Sequence, residues 1–256
     1  MRSIALAGVV VCLAVFSGLS QALPVAESVI RPIGELSGED LLARSIAYHD
    51  PSGAWPRDVH EIRLFESRPG NPPDRGGNYR ITDLHIDLPG GLFRLEQQRG
   101  PDKIIREVQA SACRQWLNGR ETVTDGERTA FGLDCPRSLR MRDYYTYLWG
   151  LPMKLTDPGT IIDPQVYEAD FFGTVLLQIR VTYDADVGGD TWYFYFHPDN
   201  YALRGYRFYH DEPANDGEYI LLNGEVDVGA LRLPASRKWY RHDNGTFLGE
   251  DRIIFN

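Results

Sequence analysis

Residues 191–222 hold the feature that most constrains the fold, a series of aromatic runs separated by turn residues. The first run reads Thr-Trp-Tyr-Phe-Tyr-Phe, and after His-Pro-Asp-Asn the second reads Tyr-Ala-Leu-Arg-Gly-Tyr-Arg-Phe-Tyr. Such runs, interrupted by Pro, Asp, Asn and Gly, are typical of antiparallel strands joined by turns. Because side chains alternate along a strand, the Trp and both Phe residues of the first run should face one side of a sheet. Its two Tyr residues should face the other, so we expect both faces to be covered.

Shorter runs with a period of two occur on either side of this region. They lie between Val59 and Gln109 and again from Val166 to Phe255. Turn sequences such as Pro-Gly-Gly at 89–91 and Arg-Gly-Pro at 99–101 separate them. Short strands with short connections predict an antiparallel meander, because parallel strands need long crossovers.

Helical patterns interrupt the strands at two places. Ser37 is a candidate N-cap for a helix that ends before Pro51, and a second helix is expected from Pro136 to Gly150. Residues 23–36 show no clear period and are expected to be a loose lead-in. The predicted fold is therefore mainly β with a few helices (α+β), a strongly curved antiparallel sheet with helices against one face.

The N-terminal residues predict export. A single Arg2, an apolar run from Ile4 to Phe16 and the small-x-small sequence Ser-Gln-Ala at 20–22 are typical of a cleaved signal peptide. The apolar run is too short for a membrane span. We expect residues 1–22 to be removed and residues 23–256 to form a single domain without a transmembrane segment, periplasmic or secreted. The alternative is an uncleaved N-terminal anchor.

The net charge of the chain narrows its possible partners. The chain has 36 acidic and 27 basic side chains, a formal net charge of −9 at pH 7, and no basic run. Nucleic acid and anionic membrane surfaces are therefore not expected as partners.

Cys113 and Cys135 remain after removal of the signal peptide, and an even count in an exported chain predicts one disulfide. The alternative is a pair of buried free thiols.

The sequence Tyr-His-Asp occurs twice and supplies the best candidates for chemistry. If the fold joined the two copies, four side chains could bind a metal ion or form an acid–base pair: His49, His210, Asp211 and Glu218. No standard metal-binding spacing supports this, and nucleophile motifs such as Gly-x-Ser-x-Gly are absent. The other interpretation is that the aspartates form turns and the histidines hydrogen-bond to them. We expect no cofactor and no metal, and an enzyme only as the alternative.

The aromatic content suggests a binding function. The chain has 14 Tyr, 11 Phe and 5 Trp residues, and one large core would account for most of them. The other interpretation is an apolar cleft between the sheet and the helix at 136–150, able to hold an acyl chain or another hydrophobic ligand. The residues expected to line it are Tyr144, Tyr147, Trp149, Trp192, Phe194, Phe196, Tyr206 and Phe208. A third possibility is an envelope interaction protein without a pocket, which would expose an apolar patch.

Three motifs give the chain a resemblance to a known family. They are Ser-Ile-Ala-Tyr-His-Asp-Pro-x-Gly-x-Trp at 45–55, Tyr-Tyr-Thr-Tyr-Leu-x-Gly-Leu-Pro-Met-Lys-Leu-x-Asp-Pro-Gly-Thr at 144–160, and Asp-Thr-Trp-Tyr-Phe-Tyr-Phe at 190–196 followed by Asp-Gly-Glu-Tyr-Ile at 216–220. Together they resemble an uncharacterised family of exported bacterial proteins, over about residues 38–255. That family has no established activity, so no functional residues carry over from it.

More distantly, the layout is similar to the periplasmic lipoprotein carriers of the LolA/LolB type. The unit from Phe-His-Pro-Asp-Asn at 196–200 to Arg207 resembles a recurring unit of that group. The proline-rich insert at 151–164 and the position of the disulfide depart from it. The resemblance implies a half-barrel with helices on its concave face, and a carrier or sensor of a lipid, an acylated peptide or a lipidated protein. Ligand identity and oligomeric state stay open at this point.

Overall fold

The computed structural model describes residues 28–71 and 77–255, so the predicted signal peptide at 1–22 lies outside the described residues. The helices are α1 (Gly38–His49), α2 (Asp125–Phe131) and α3 (Cys135–Trp149), with a 3-10 turn at Met153–Thr156. The strands are β1 (Ser28–Ser37), β2 (Val59–Ser67), β3 (Tyr79–Asp87), β4 (Leu92–Arg99), β5 (Asp102–Gln109), β6 (Ala112–Leu117), β7 (Thr160–Ile162), β8 (Gln165–Phe171), β9 (Thr174–Tyr183), β10 (Thr191–Phe196), β11 (Leu203–Asp211), β12 (Asp216–Val228), β13 (Leu231–Arg241) and β14 (Phe247–Ile253).

All 14 of these strands belong to one antiparallel sheet. Its order is β1-β8-β9-β10-β11-β12-β13-β14-β2-β3-β4-β5-β6, with β7 paired to β9. The two ends of this order do not pair with each other, so the sheet is open. The predicted mainly β fold with a few helices is confirmed.

Helix α3 shows how strongly the sheet curves. Cys135 in its first turn is bonded to Cys113 on β6, at one edge of the sheet. Three turns later, the hydroxyl of Tyr147 meets that of Tyr183 on β9, near the other edge. A single helix can contact both ends of so wide a sheet only if the sheet wraps around it. The prediction of helices on the concave face is therefore confirmed.

Side-chain caps set where the helices begin, and the cap predicted from the sequence at Ser37 is present. The hydroxyl of Ser37 accepts a hydrogen bond from the backbone N–H of Asp40 at 3.1 Å. Helix α3 begins one residue before Pro136, and the Asp134 carboxylate accepts from the backbone N–H of Arg137 at 2.6 Å. Both caps satisfy backbone donors that the first turn leaves without partners.

The inner face of the sheet and the two longer helices share one core. Leu41 of α1 and Leu148 of α3 pack in the same buried cluster as Phe194 and Phe196 of β10. Tyr195 points to the opposite face, where its ring stacks on Phe171 at 3.9 Å within a separate buried cluster. The predicted alternation along this strand is confirmed, and each face is covered by different residues.

The lead-in expected to be loose is instead the edge strand β1. It pairs with β8 along its length, and the Arg31 guanidinium donates to the Glu168 carboxylate at 2.7 Å. Most side chains of β1 are exposed, so it lacks the apolar alternation by which strands are recognised. Backbone hydrogen bonds to β8, which the sequence pattern does not reveal, hold it in place.

Acid sensitivity is expected from His242. Its ring is buried and stacked on Tyr209, with centroids 4.4 Å apart. Burial lowers the pKa of His242 from 6.5 to about 4. Between these two pH values, the unfolded chain binds a proton at this ring that the native state does not bind. Stability should therefore fall as the pH drops from 6.5 towards 4, by about 1–2 kcal/mol from this residue. His242→Phe should flatten that dependence in urea unfolding at pH 7 and pH 4.5. An unchanged slope would contradict this role.

Candidate functional site

A cleft of about 460 Å³ opens between α3 and the inner face of β10, β11 and β13. We call it the aromatic cleft. Its volume lies in the range of roughly 300–1,000 Å³ that is usual for small-molecule sites. The residues that line it are Arg68, Tyr144, Tyr147, Leu148, Asp190, Trp192, Phe208, His210, Glu218, Trp239 and Leu248.

Strand register makes this cleft apolar inside and polar at its mouth. Trp192 pairs with Phe208, which pairs in turn with Glu218 on the next strand, so the three share one face. Two residues further along that face, Asp190 and His210 meet at the mouth, with the His210 Nδ1 2.8 Å from the Asp190 carboxylate. A ligand would therefore meet carboxylates and an imidazole first, and aromatic rings deeper in.

The aromatic rings of the cleft pack against one another and are only partly covered. Phe208 stacks on Trp192 at 4.7 Å, and the edge of the Tyr147 ring meets Trp192 at 5.5 Å. Both Trp192 and Phe208 are half-buried, and Tyr144 is 38% exposed. The protein's own core leaves this apolar surface open.

The eight residues predicted to line a cleft divide into two groups. Four lie on the aromatic cleft: Tyr144, Tyr147, Trp192 and Phe208. The other four are fully buried in the packed core: Trp149, Phe194, Phe196 and Tyr206. Phe194 and Tyr206 pair with each other one row deeper on the same face, where the sheet and α3 close together.

Five lining residues were not among the predicted site residues: Arg68, Leu148, Asp190, Trp239 and Leu248. Trp239 on β13 pairs with Ile220 on β12, which pairs with Tyr206 on β11. Trp239 therefore lies in the same cross-strand row as Phe194 and Tyr206. Its Nε1 donates to the Asp251 carboxylate at 2.8 Å, which fixes the indole beside Tyr144. A Trp in the short predicted strand at 237–240 was the available signal, but the strand alone does not say which face the Trp side chain takes.

His49 has a structural role far from the cleft. Its Nε2 accepts from the backbone N–H of Leu203 at 2.9 Å, so Nδ1 carries the proton and donates to the Arg232 carbonyl at 2.5 Å. Burial lowers the pKa of His49, in keeping with a neutral ring. Leu203 begins β11 and His210 lies seven residues further on, roughly 23 Å along a strand. The four-residue site that would need His49 beside His210 is therefore not assembled.

The remaining members of that set separate as well. His210 and Glu218 both line the aromatic cleft, whereas Asp211 is exposed and its carboxylate accepts from the backbone N–H of Ala214 in a turn. Burial raises the pKa of the Glu218 carboxyl, and the nearby charges of His210, Arg241 and Arg68 act in the opposite direction. The imidazole of His210 and the carboxylate of Glu218 therefore both lie at the mouth of the aromatic cleft.

A second cleft lies on the other side of α3. We call it the insert cleft, because residues of the proline-rich insert form one wall, and its volume is about 600 Å³. Its apolar lining includes Ile86, Leu92, Phe93, Tyr147, Pro158, Tyr183 and Val187. Tyr147 lines both clefts and bonds to Tyr183 through their hydroxyls, so this pair of rings stands between them.

A buried polar network fixes the position of α3 against the sheet. The Tyr145 hydroxyl donates to the Glu66 carboxylate of β2 at 2.8 Å, and Arg80 of β3 binds both oxygens of the same carboxylate at 2.8 and 2.9 Å. Near the C-terminal end of the helix, Arg237 donates to the Leu148 carbonyl at 3.0 Å. These contacts determine which rings of α3 reach the clefts.

Two further observations concern the described residues alone. Within 28–71 and 77–255, no group of three or more His, Cys, Asp or Glu side chains is placed to hold a metal ion. No helix in that part of the chain is both long and apolar enough to cross a membrane.

Solved structures with a similar fold come from several bacteria. One is a domain from Vibrio parahaemolyticus described as a putative outer membrane lipoprotein-sorting protein domain. It is 10% identical in sequence, and the match covers 85% of this chain and 88% of that chain with a TM-score of 0.44. A LolA superfamily protein from Nitrosomonas europaea is 8% identical, with 86% and 92% covered and a TM-score of 0.42. A DUF1329 family protein from Desulfovibrio piger is 8% identical, with 85% and 91% covered and a TM-score of 0.46.

Sequence comparison gives a clear result for the family only. No curated protein matches significantly. A family profile described as a family of unknown function, DUF6503, matches residues 34–256. This match includes both clefts, the disulfide and all three motifs that suggested an uncharacterised family. The chain therefore belongs to the DUF6503 family.

Proposed function

We propose that this is an exported protein that binds a hydrophobic ligand in the aromatic cleft. The observation that carries the proposal is the set of partly uncovered aromatic rings around a space of about 460 Å³. Contact of a ligand with such rings removes apolar surface from water at about 25 cal/mol per Å². A lipid, an acylated peptide or a similar molecule fits this chemistry, and no covalent step is involved.

Export is part of the proposal. The disulfide between Cys113 and Cys135 supports it, since such bonds persist mainly in oxidising compartments. We propose a periplasmic or secreted mature protein that has lost residues 1–22. A carrier in that compartment would shield an apolar cargo from water, which is what a cleft with an aromatic interior does.

Phe208→Ala should weaken the binding of an apolar dye about tenfold. The ring stacks on Trp192 inside the cleft, so its loss removes contact surface from any ligand there. A tenfold change corresponds to about 1.4 kcal/mol, within the range for one aromatic contact. The measurement is a fluorescence titration with N-phenyl-naphthylamine, which is neutral and brightens in apolar surroundings.

The matched control is Trp116→Ala. Trp116 is half-buried between Arg94 and Arg114, away from both clefts, so the dye should bind this variant as it binds wild type. Native mass spectrometry before and after organic extraction would then identify any cargo. No dye binding by wild type, together with no co-purifying mass, would refute the proposed function.

A further inference from the structure

Glu218 stands out among the carboxylates of the sheet. It is half-buried, lines the aromatic cleft and shares its strand row with Phe208 and Trp192. Its backbone pairs with Phe208 and Arg241, but within residues 28–71 and 77–255 its carboxylate makes no hydrogen bond and no ion pair. A carboxylate in such a place loses hydration, and the nearby charges of His210, Arg241 and Arg68 offset that loss only in part, so burial raises its pKa.

The positive groups near Glu218 are each engaged by another carboxylate. Arg68 contacts Asp251 at 2.5 Å. Arg241 binds Asp243 at 3.1 Å. The imidazole of His210 is hydrogen-bonded to Asp190 at 2.8 Å. Because each of these cations is paired with another carboxylate, Glu218 has no counter-ion in contact with its own carboxylate.

The surroundings of Glu218 suit a positive charge better than a negative one. The faces of aromatic rings carry negative potential and attract ammonium and guanidinium groups. Trp192 and Phe208 supply such faces next to the carboxylate, and Asp190 adds negative charge at the mouth. An anionic head group at the mouth would lie beside two carboxylates, whereas the lining cations Arg68 and His210 are already paired with Asp251 and Asp190.

We propose that the ligand of the aromatic cleft is an amphiphile that carries an amine or quaternary ammonium group, held at Glu218. This inference rests on the proposed function and specifies its ligand class. The apolar part lies along the rings of Trp192, Phe208 and Tyr147, and the cation occupies the mouth between Glu218 and Asp190. A free amine and a lipid head group with a quaternary ammonium present the same positive group to the site.

The test compares three dodecyl probes below their micelle concentrations: dodecyltrimethylammonium, dodecanol and dodecanoate. Quenching of intrinsic fluorescence reports binding directly, because Trp192 and Trp239 line the cleft. Wild type should bind the cation about tenfold more tightly than the alcohol, the size of one charge-assisted contact, and the anion most weakly. Glu218→Gln keeps the shape of the side chain and should abolish the preference while binding dodecanol as wild type does.

The matched control is Glu35→Gln, which removes an exposed carboxylate from β1 and should keep the preference. Equal affinities of wild type for the cation and the alcohol would overturn the inference but leave the proposed function standing. If Glu218→Gln still bound the cation more tightly than the alcohol, the inference would likewise be overturned and the proposed function would stand. Failure of all three probes would overturn both. Binding of dihexanoyl phosphatidylcholine that also depends on Glu218 would support the inference and place the cation in a lipid head group.

Discussion

Glu66→Ala should lower the free energy of unfolding by about 3–5 kcal/mol, the cost of leaving buried cations without their partner. Glu66 is fully buried on β2 and accepts hydrogen bonds from Arg80, Thr82 and Tyr145. Burial alone would raise the pKa of this carboxyl, but Arg80 and Arg68 reverse the effect and hold it below its usual range. Without the carboxylate, Arg80, whose side chain is only 20% exposed, has no negative charge in contact.

The control for this prediction is Glu96→Ala on the outer face of the sheet. Glu96 also binds two cations, Arg94 and Lys103, but its side chain is 27% exposed. Solvent screens that cluster, so its loss should cost at most about 1 kcal/mol. Urea unfolding of both variants is the measurement. Equal effects of the two substitutions would show that burial does not set the strength of the Glu66 network.

The alternation of side chains was sufficient to predict the sheet. Strands such as β2 and β5 show a period of two that follows from one buried face, and the turns between strands contain Gly and Pro. The capping residue Ser37 and the first-turn Pro136 likewise made both helices predictable from the sequence. The edge strand β1 was missed, because its stability comes from backbone pairing with β8 and not from an apolar pattern.

The same alternation contains a sign of the buried network. On β2 the inward positions run Ile62, Leu64 and then Glu66, so the period itself turns a carboxylate towards the core. The sequence does not reveal its partners, since Arg80 and Tyr145 come from another strand and from α3. Buried ion pairs depend on which elements are brought together, and a single sequence without that arrangement leaves them unassigned.

The cleft could be predicted in kind but not in detail. Trp192 and Phe194 share one face and one strand, yet the first lines an open space and the second is fully buried. The difference depends on where α3 crosses the sheet, which long-range contacts such as Tyr145 to Glu66 determine. For the same reason, two identical Tyr-His-Asp sequences have unrelated roles, one inside the core and one at the mouth of the cleft.

Replacing Cys113 and Cys135 together by Ser should lower the free energy of unfolding by about 3 kcal/mol. The bond closes a loop between residues 22 apart in sequence, and by the chain-entropy model its main effect is to restrict the unfolded chain. Urea unfolding of the double variant, and of wild type with dithiothreitol, should give the same reduced stability. An unchanged midpoint for both would contradict this account.

The double variant should nevertheless bind N-phenyl-naphthylamine within about twofold of the wild-type affinity, well under the 1.4 kcal/mol that a tenfold change requires. The disulfide holds only the first turn of α3, whereas the rings of the cleft come from later turns. Those turns have their own attachments, from Tyr145 to Glu66 at 2.8 Å and from Arg237 to the Leu148 carbonyl at 3.0 Å. A tenfold loss of dye affinity in a variant that remains folded would instead show that the covalent link positions α3 over the cleft.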